Sequence, residues 1–274
     1  MWALRQFPAF ADIDLHELAL VAENVSEVMH EAGDVVSPPG RALGVSFVID
    51  GELAAGTLHW GARETFGLLE VLARREHVVA TTATRATRTL HLDAGDLGDV
   101  LEEGFGVLRS MIHELAARVV WQARTPVHAI AIPAYQPLGL VDRLVVLRQI
   151  PSFASANLDA LGALAHASEE SILGPGTTLA RAGSSATIAH VILDGSVHVT
   201  GEGRAPLTLG AGAVVGGVEV LGNLLHGRTY EASTQVRTLA CSAGALFDVM
   251  EDHTELGLAV LERLASTLLL AEPA

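Results

Sequence analysis

Along the first quarter of the chain the apolar positions change their rhythm twice. Leu15, Leu18, Ala19, Val21 and Ala22 recur at the three- and four-residue spacing of a helix face. Short apolar runs follow, broken by Gly33, Gly40, Gly51, Gly61 and Gly67, the pattern of tight turns between the strands of a small antiparallel barrel or jelly roll. Helical spacing then returns through Val107, Leu108, Met111, Ile112, Leu115 and Val119. The whole cycle repeats, with glycines at 176, 183, 195, 210, 212 and 216 and a closing helix face at Leu258, Leu261, Leu264 and Leu268. The predicted class is α+β, mainly β: two β-jelly-roll barrels, each flanked by N- and C-terminal helices.

The two cycles are copies of one unit. "LRQFPAFADIDLHELALVA" at 4–22 matches "LRQIPSFASANLDALGALA" at 147–165, an offset of 143 residues. "FVIDGEL" (47–53) matches "VILDGSV" (191–197), and beyond that point the offset grows to 149. The second copy therefore carries about five more residues near "GEGRAP", in a hairpin where insertions are tolerated. Between the copies, "TPVHAIAIPAYQPLG" holds three prolines that break helix. The expected domains are 1–122 and 141–274, joined by a linker over 123–140.

Composition removes several function classes. The formal charge of −15 opposes a polyanionic partner, so no nucleic acid is expected. All 17 basic residues are arginine, which excludes a Walker-type loop, a Schiff-base lysine and a kinase lysine. A single cysteine, Cys241, forms no internal disulfide, and no window of apolar residues is long enough for a membrane span or a secretion signal. The expectation is a cytoplasmic protein. "HELAAR" at 113–118 lacks the second histidine of a zinc-protease motif, no Gly-x-Ser-x-Gly elbow occurs, and Cys241 falls at an inward strand position, so no enzyme is expected. A bicupin would need converging histidines, but His190, His198 and His226, or His59, His77 and His91, are too widely spaced and no His-x-His exists.

Across nearly the whole chain the sequence resembles the cyclic nucleotide-binding domain family. The opening helical segment, the turns in "HEAGDVVSPPG" and "LGPGTTLARAG", the strands "FVIDGEL" and "VILDGSV", and the closing-strand residues Leu90, Leu92, Leu239 and Cys241, with Ala83 and Ala232 upstream, all carry the likeness. The resemblance implies two cyclic-nucleotide-binding-like barrels and a loop, followed by a short helix, that cradles a cyclic phosphate. In the family a glutamate takes the ribose hydroxyl and an arginine nine residues later pairs with the phosphate, because helix amides and a guanidinium both favour a fixed anion.

Both cassettes depart from that pattern. "FGLLEVLARREH" places Gly67 and then Leu68 where the glutamate belongs, with His77 for the arginine. "VGGVEVLGNLLH" places Gly216, then Gly217, with His226 for the arginine. Each missing charge-assisted contact is worth roughly 1.5–3 kcal/mol, so losing two weakens a micromolar ligand by several orders of magnitude. Glu70 and Glu219, in the first turn of each short helix, and Arg228, two residues past His226 and on the same side of an extended strand, are the side chains that could compensate, with Thr229 beside them. The resulting expectation is a non-catalytic regulatory or scaffold protein acting on an unidentified protein partner, needing no cofactor. The alternative is a true sensor of cyclic AMP, cyclic GMP or another phosphorylated small molecule. The close at "LASTLLLAEPA" leaves no room for a DNA-reading head, and the apolar "TLLL" suggests a homodimer through the last helix.

Overall fold

The computed structural model describes residues 2–121 and 137–270, which divide into two compact units, Met1–Glu114 with Leu261–Ala274, and Leu115–Val260. The ends of these units differ from those of the sequence copies, since the last helical stretch groups with the first unit. The linker expected over 123–140 lies almost wholly at 122–136, outside the described residues.

The first copy runs through two short 3-10 turns (Leu4–Gln6 and Pro8–Phe10) and α1 (Leu15–Asn24) into β1 (Ser26–His30), β2 (Val35–Ser37), β3 (Gly40–Arg41), β4 (Gly44–Asp50) and β5 (Glu52–Ala55). It continues with β6 (Leu58–Gly61), β7 (Thr65–Phe66), α2 (Leu68–Leu72), β8 (Glu76–His77), β9 (Thr81–Ala83), β10 (Thr87–Asp93), α3 (Ala94–Glu103) and α4 (Phe105–Trp121). The second copy begins with α5 (Leu140–Arg148), a 3-10 turn (Pro151–Phe153) and α6 (Leu158–Ala167), then β11 (Glu169–Leu173), β12 (Thr178–Ala180), β13 (Ile188–Asp194), β14 (Val197–Gly201) and β15 (Arg204–Leu209). It ends with β16 (Val214–Val215), α7 (Gly217–Leu221), β17 (Thr229–Ala232), β18 (Val236–Ser242), α8 (Ala243–Asp252) and α9 (Thr254–Leu269).

The same local chemistry starts the same helix in each copy. Asp14 accepts from the Glu17 amide at 2.8 Å, and Asn157 accepts from the Ala160 amide at 2.8 Å, each a side-chain N-cap that satisfies an amide the helix itself leaves unpaired. Strand order repeats as well. In unit 1 the sheets run β1-β10-β4-β7 and β2-β9-β5-β6, with β3-β8 beside them, and in unit 2 they run β11-β18-β13-β16 and β12-β17-β14-β15. All of these pairings are antiparallel, and the first strand of each barrel finds the last, which is the jelly-roll signature. One ion pair recurs on this seam: Glu27 lies 3.5 Å from Arg88 across β1 and β10, and Glu170 lies 3.2 Å from Arg237 across β11 and β18. The first pair is exposed and the second is nearly buried.

Each barrel encloses its own core. In unit 1, Val48 and Phe66 from one sheet meet Leu53 and Ala83 from the other, while Phe7 packs edge-on against Phe47 at 5.1 Å and Phe10 packs tilted against the same ring at 5.2 Å. In unit 2 the corresponding interior holds Ile192, Val197, Val199, Leu209, Val215 and Tyr230. The extra residues of the second copy lengthen the β14–β15 hairpin, and most of β15 is exposed. On α9 the buried face runs through Leu256, Val260, Leu261, Leu264, Ala265 and Leu268, so Leu261, Leu264 and Leu268 are buried as the spacing in the sequence indicates and only Leu258 is half-buried. Of the "TLLL" end, Leu268 is buried within the chain and only Leu270 is largely exposed. Cys241 is half-buried, less enclosed than its strand position suggested. Among the described residues no helix is long and apolar enough to cross a membrane.

Candidate functional site

The two cassettes are built alike. Gly67 and Gly216 cap α2 and α7 with φ of 84° and 76°, a left-handed backbone that turns the chain from strand into helix within one residue. The turn is also crowded. A Cβ on Gly67 would sit 2.7 Å from the Gly44 carbonyl oxygen, and one on Gly216 would sit 3.0 Å from the Ile188 carbonyl oxygen and from the His226 ring. Glycine is therefore required at both positions for steric as well as conformational reasons.

In unit 1 the cassette closes on itself. Leu68 is buried under the start of α2, so an apolar side chain fills the position read as that of the missing glutamate. His77, on β8 against Gly40 of β3, is buried and stacks on Phe66 at 4.9 Å with an interplanar angle of 19°. Phe66 in turn meets Trp60 edge-on at 5.0 Å. Glu70 approaches the same imidazole, its Oε1 3.8 Å from Nδ1. The barrel interior beneath the cassette thus holds a run of three rings with a carboxylate at its end, an environment that repels an anion.

Unit 2 differs in its side chains. The positions of Trp60 and Phe66 are taken by the smaller Leu209 and Val215. Gly217 opens α7, and Glu219 stands in its first turn. The backbone of His226 is tied to the 183–184 turn by bonds from its N–H to the Ser184 carbonyl and from the Gly183 N–H to its own carbonyl, both 2.8 Å. Its ring is buried, lies 6.2 Å from Tyr230, and has no hydrogen-bond partner at Nδ1. Burial lowers its pKa below the usual imidazole range, with the Glu219 carboxylate pulling the other way. Burial also raises the Tyr230 hydroxyl to about 12, Glu219 adding to the rise while Arg228 and Arg204 oppose it. Thr229 faces the other way and accepts the Ala182 N–H at 3.1 Å.

Arg228 stands in the bend at 227–228 that precedes β17 rather than on an extended strand, and its charge is felt at the Tyr230 hydroxyl. It lies beside Gly201 of β14, where an added Cβ would meet its Cγ at 3.0 Å. Its Nη1 is buried without a hydrogen-bond partner. His226 also lines an open cleft of about 320 Å³, together with Leu179, Arg181, Ser184, Ser185, Thr187 and Ile188. The structure thus joins Glu70 to His77 and gathers Glu219, His226 and Arg228 around Tyr230, while Thr229 belongs to the neighbouring loop. Reading the sequence missed the filling of the first barrel by Trp60 and the roles of Gly201, Arg204 and Tyr230. The aligned pairs Trp60/Leu209 and Thr81/Tyr230, at the offset of 149, carried that signal. Among the described residues no three His, Cys, Asp or Glu side chains converge as metal ligands, the arrangement a bicupin requires. His190, one of the histidines weighed for that reading, instead meets the Thr238 hydroxyl at 3.3 Å.

In strand order each copy is a β-jelly roll flanked by helices, with a short helix after the glycine-capped turn. No family model matches the chain, and no curated protein does. Among solved structures the chain is similar to a regulatory subunit of a cAMP-independent protein kinase A from Trypanosoma brucei, a mutant bound to cAMP, at 18% identity over 93% of this chain and 89% of that one, with a TM-score of 0.38. It is similar to the regulatory domain of Toxoplasma gondii protein kinase A with cAMP, at 16% identity over 98% and 95%, TM-score 0.37. The N-terminal domain of a transcriptional regulator from Streptomyces coelicolor A3(2) matches 46% of this chain and 93% of its own length at 26% identity, TM-score 0.42. Likenesses at these TM-scores carry no weight for the chemistry of the site.

Proposed function

We propose that this chain is a non-catalytic, cytoplasmic regulatory or scaffold protein, whose two cyclic nucleotide-binding-like units act through contacts with a protein partner rather than through the family's usual ligand chemistry. The observation that supports this reading is the interior of unit 1, where Trp60, Phe66 and His77 stack beneath the cassette and Glu70 approaches the imidazole. A cyclic phosphate placed there would meet a carboxylate and an apolar Leu68 instead of an arginine and a free glutamate. Buried, unpaired anions are costly, and with the arginine and glutamate replaced only the amides at the start of α2 are left to offset the cost. Calorimetry of the full chain against cyclic AMP and cyclic GMP tests the reading: silence at millimolar nucleotide is expected, and micromolar heats from either nucleotide would overturn it. Capture of a stoichiometric protein partner by the tagged chain is the companion experiment. A second reading, a small-molecule sensor seated in unit 2, is favoured by the unpartnered Arg228 Nη1.

A further inference from the structure

One tip of the first barrel exposes apolar side chains where its twin carries charge. Two ladders meet there: Ser37 of β2 pairs with Thr81 of β9, and Gly40 of β3 pairs with His77 of β8. Between these fixed pairs, Pro38 and Pro39 on one connection run beside Val78, Val79 and Ala80 on the other, because both ends of each connection are held to the other. The valines and prolines are not drawn inward. Val78 is 90% exposed and Val79 51%, and both prolines are exposed. His77, one residue before Val78, turns the other way and stacks on Phe66, so this surface lies outside the cassette. At the aligned positions of the second copy stand Arg181, Ala182, Gly227 and Arg228, and the repeat therefore does not itself require apolar residues here. Single exposed valines are ordinary, but four adjoining apolar residues on a barrel tip form a patch of the kind that marks a contact surface.

The rim of the patch is basic. Arg41 stands opposite Glu76 in the β3–β8 ladder, and Arg75 precedes Glu76 in the chain. Arg74 reaches toward Glu262 of α9 at 3.9 Å with its side chain 84% exposed. Arg41 and Arg75 are exposed, and no ion pair engages either of them among the described residues. In a chain with a formal charge of −15, this is a local excess of free guanidinium groups beside an apolar surface. We infer that the tip of unit 1 docks an acidic, partly apolar segment of a different protein, with apolar side chains on Val78, Val79 and the proline pair and carboxylates on Arg41 and Arg75. The inference rests on the partner-binding reading proposed above and adds the chemistry of what is bound. Charge complementarity selects the occupant, since a guanidinium fork pairs best with a carboxylate and an apolar centre inside a polar, arginine-bearing rim is the usual anatomy of a protein interface. A second copy of this chain fits less well. A two-fold contact through the tip would set each arginine against its own image, and like charges repel.

The probe is a random twelve-residue peptide library displayed on phage and panned on the immobilised full chain. The enriched peptides should combine Asp or Glu with Leu, Ile, Phe or Trp. Their binding should fall about tenfold or more in the double variant Val78→Ser/Val79→Ser and in Arg41→Gln/Arg75→Gln, and should weaken as salt is raised. Met29→Ser, which removes an apolar side chain 69% exposed elsewhere in unit 1, should leave it unchanged. All the substituted side chains are exposed, so the urea midpoints of the variants should match that of the parent chain. No enrichment, enrichment of basic or uncharged peptides, or equal binding to the double variants would each overturn the inference. A dimer by light scattering that Val78→Ser/Val79→Ser dissolves would overturn it too, by making a second copy the occupant. Undiminished capture of a stoichiometric partner by both double variants would sink the docking tip and leave the partner-binding reading standing. Failure of the parent chain to capture any partner would count against that reading, while the peptide selection would still decide the chemistry of the tip.

Discussion

Replacing Gly67 by alanine isolates what the cassette turn demands of the backbone. Two costs are expected. A left-handed φ of 84° carries about 1–2 kcal/mol for a residue with a Cβ. The added atom would also sit 2.7 Å from the Gly44 carbonyl, and that carbonyl belongs to β4, whose register places Gly44 against Asp93 of β10. Main chain locked in a ladder cannot retreat as a flexible side chain can, so the forced shift adds about 1–3 kcal/mol. The sum is about 2–5 kcal/mol. Gly33→Ala is the matched control in the same unit, because its φ of 94° carries the backbone cost while nothing lies within 4 Å of the added Cβ. Urea unfolding of the full chain, followed by tryptophan fluorescence, should place the Gly67→Ala midpoint well below that of Gly33→Ala. With a slope of about 1–3 kcal/mol per molar urea, the contact cost alone separates the two by up to a few molar. Equal midpoints for the two variants would refute the close approach of α2 to β4.

Three further outcomes are expected. Burial holds His190 below the usual imidazole range, aided by the charge of His226, and burial lowers His226 as well; below about pH 6.5 the unfolded chain therefore takes up protons that the folded unit refuses, stability falls on acidification, and His190→Asn should flatten the decline of the urea midpoint between pH 7 and pH 5. Glu170→Gln should cost about 2–4 kcal/mol in urea unfolding because Arg237 and Glu170 retain only 15% and 13% side-chain exposure, whereas Glu27→Gln in the exposed twin pair should cost less than about 1 kcal/mol; equal effects would show that burial does not set their worth. Burial raises the Cys241 thiol above its ordinary pKa, so at pH 8 its reaction with an aromatic disulfide reagent should be slow in the folded chain and fast in urea, and equal rates would place the thiol at the surface.

Most of the architecture was legible because duplication wrote it twice. The helix faces, the turn glycines and the hairpin with extra residues each appeared at matched positions, and the strands fell where the glycine spacing put them. The closing face of α9 was legible at Leu261, Leu264 and Leu268 but not at Leu258, since Leu256 and Val260 are buried in its place, and a helix rich in leucine offers several stripes of similar hydrophobicity. The site was harder. Spacing located both cassettes and their missing charges, but the packing around each histidine needs the folded chain: Trp60 and Phe66 beside His77, and Tyr230 with the distant 183–184 turn beside His226. Gly201 reads in the sequence as a hairpin glycine, and its use as a slot for an arginine emerges only when β14 and β17 lie side by side.

The pairing of first strand with last, marked in each copy by the same glutamate and arginine, has a consequence for how the chain reaches its fold. Before either barrel closes, β1 and β11 present similar edges, and β10 and β18 offer each of them a similar complement. Nothing in the ion pair itself distinguishes the right partner from the wrong one, so crossed pairing between copies is the natural misfolding trap of this molecule. Vectorial synthesis removes it. About 60 residues separate β1 from β10, and the whole of that span leaves the ribosome before β11 has been made, so the first barrel can commit its edges while no competitor exists. Refolding from denaturant offers no such order, and should run more slowly and with greater losses than folding during translation.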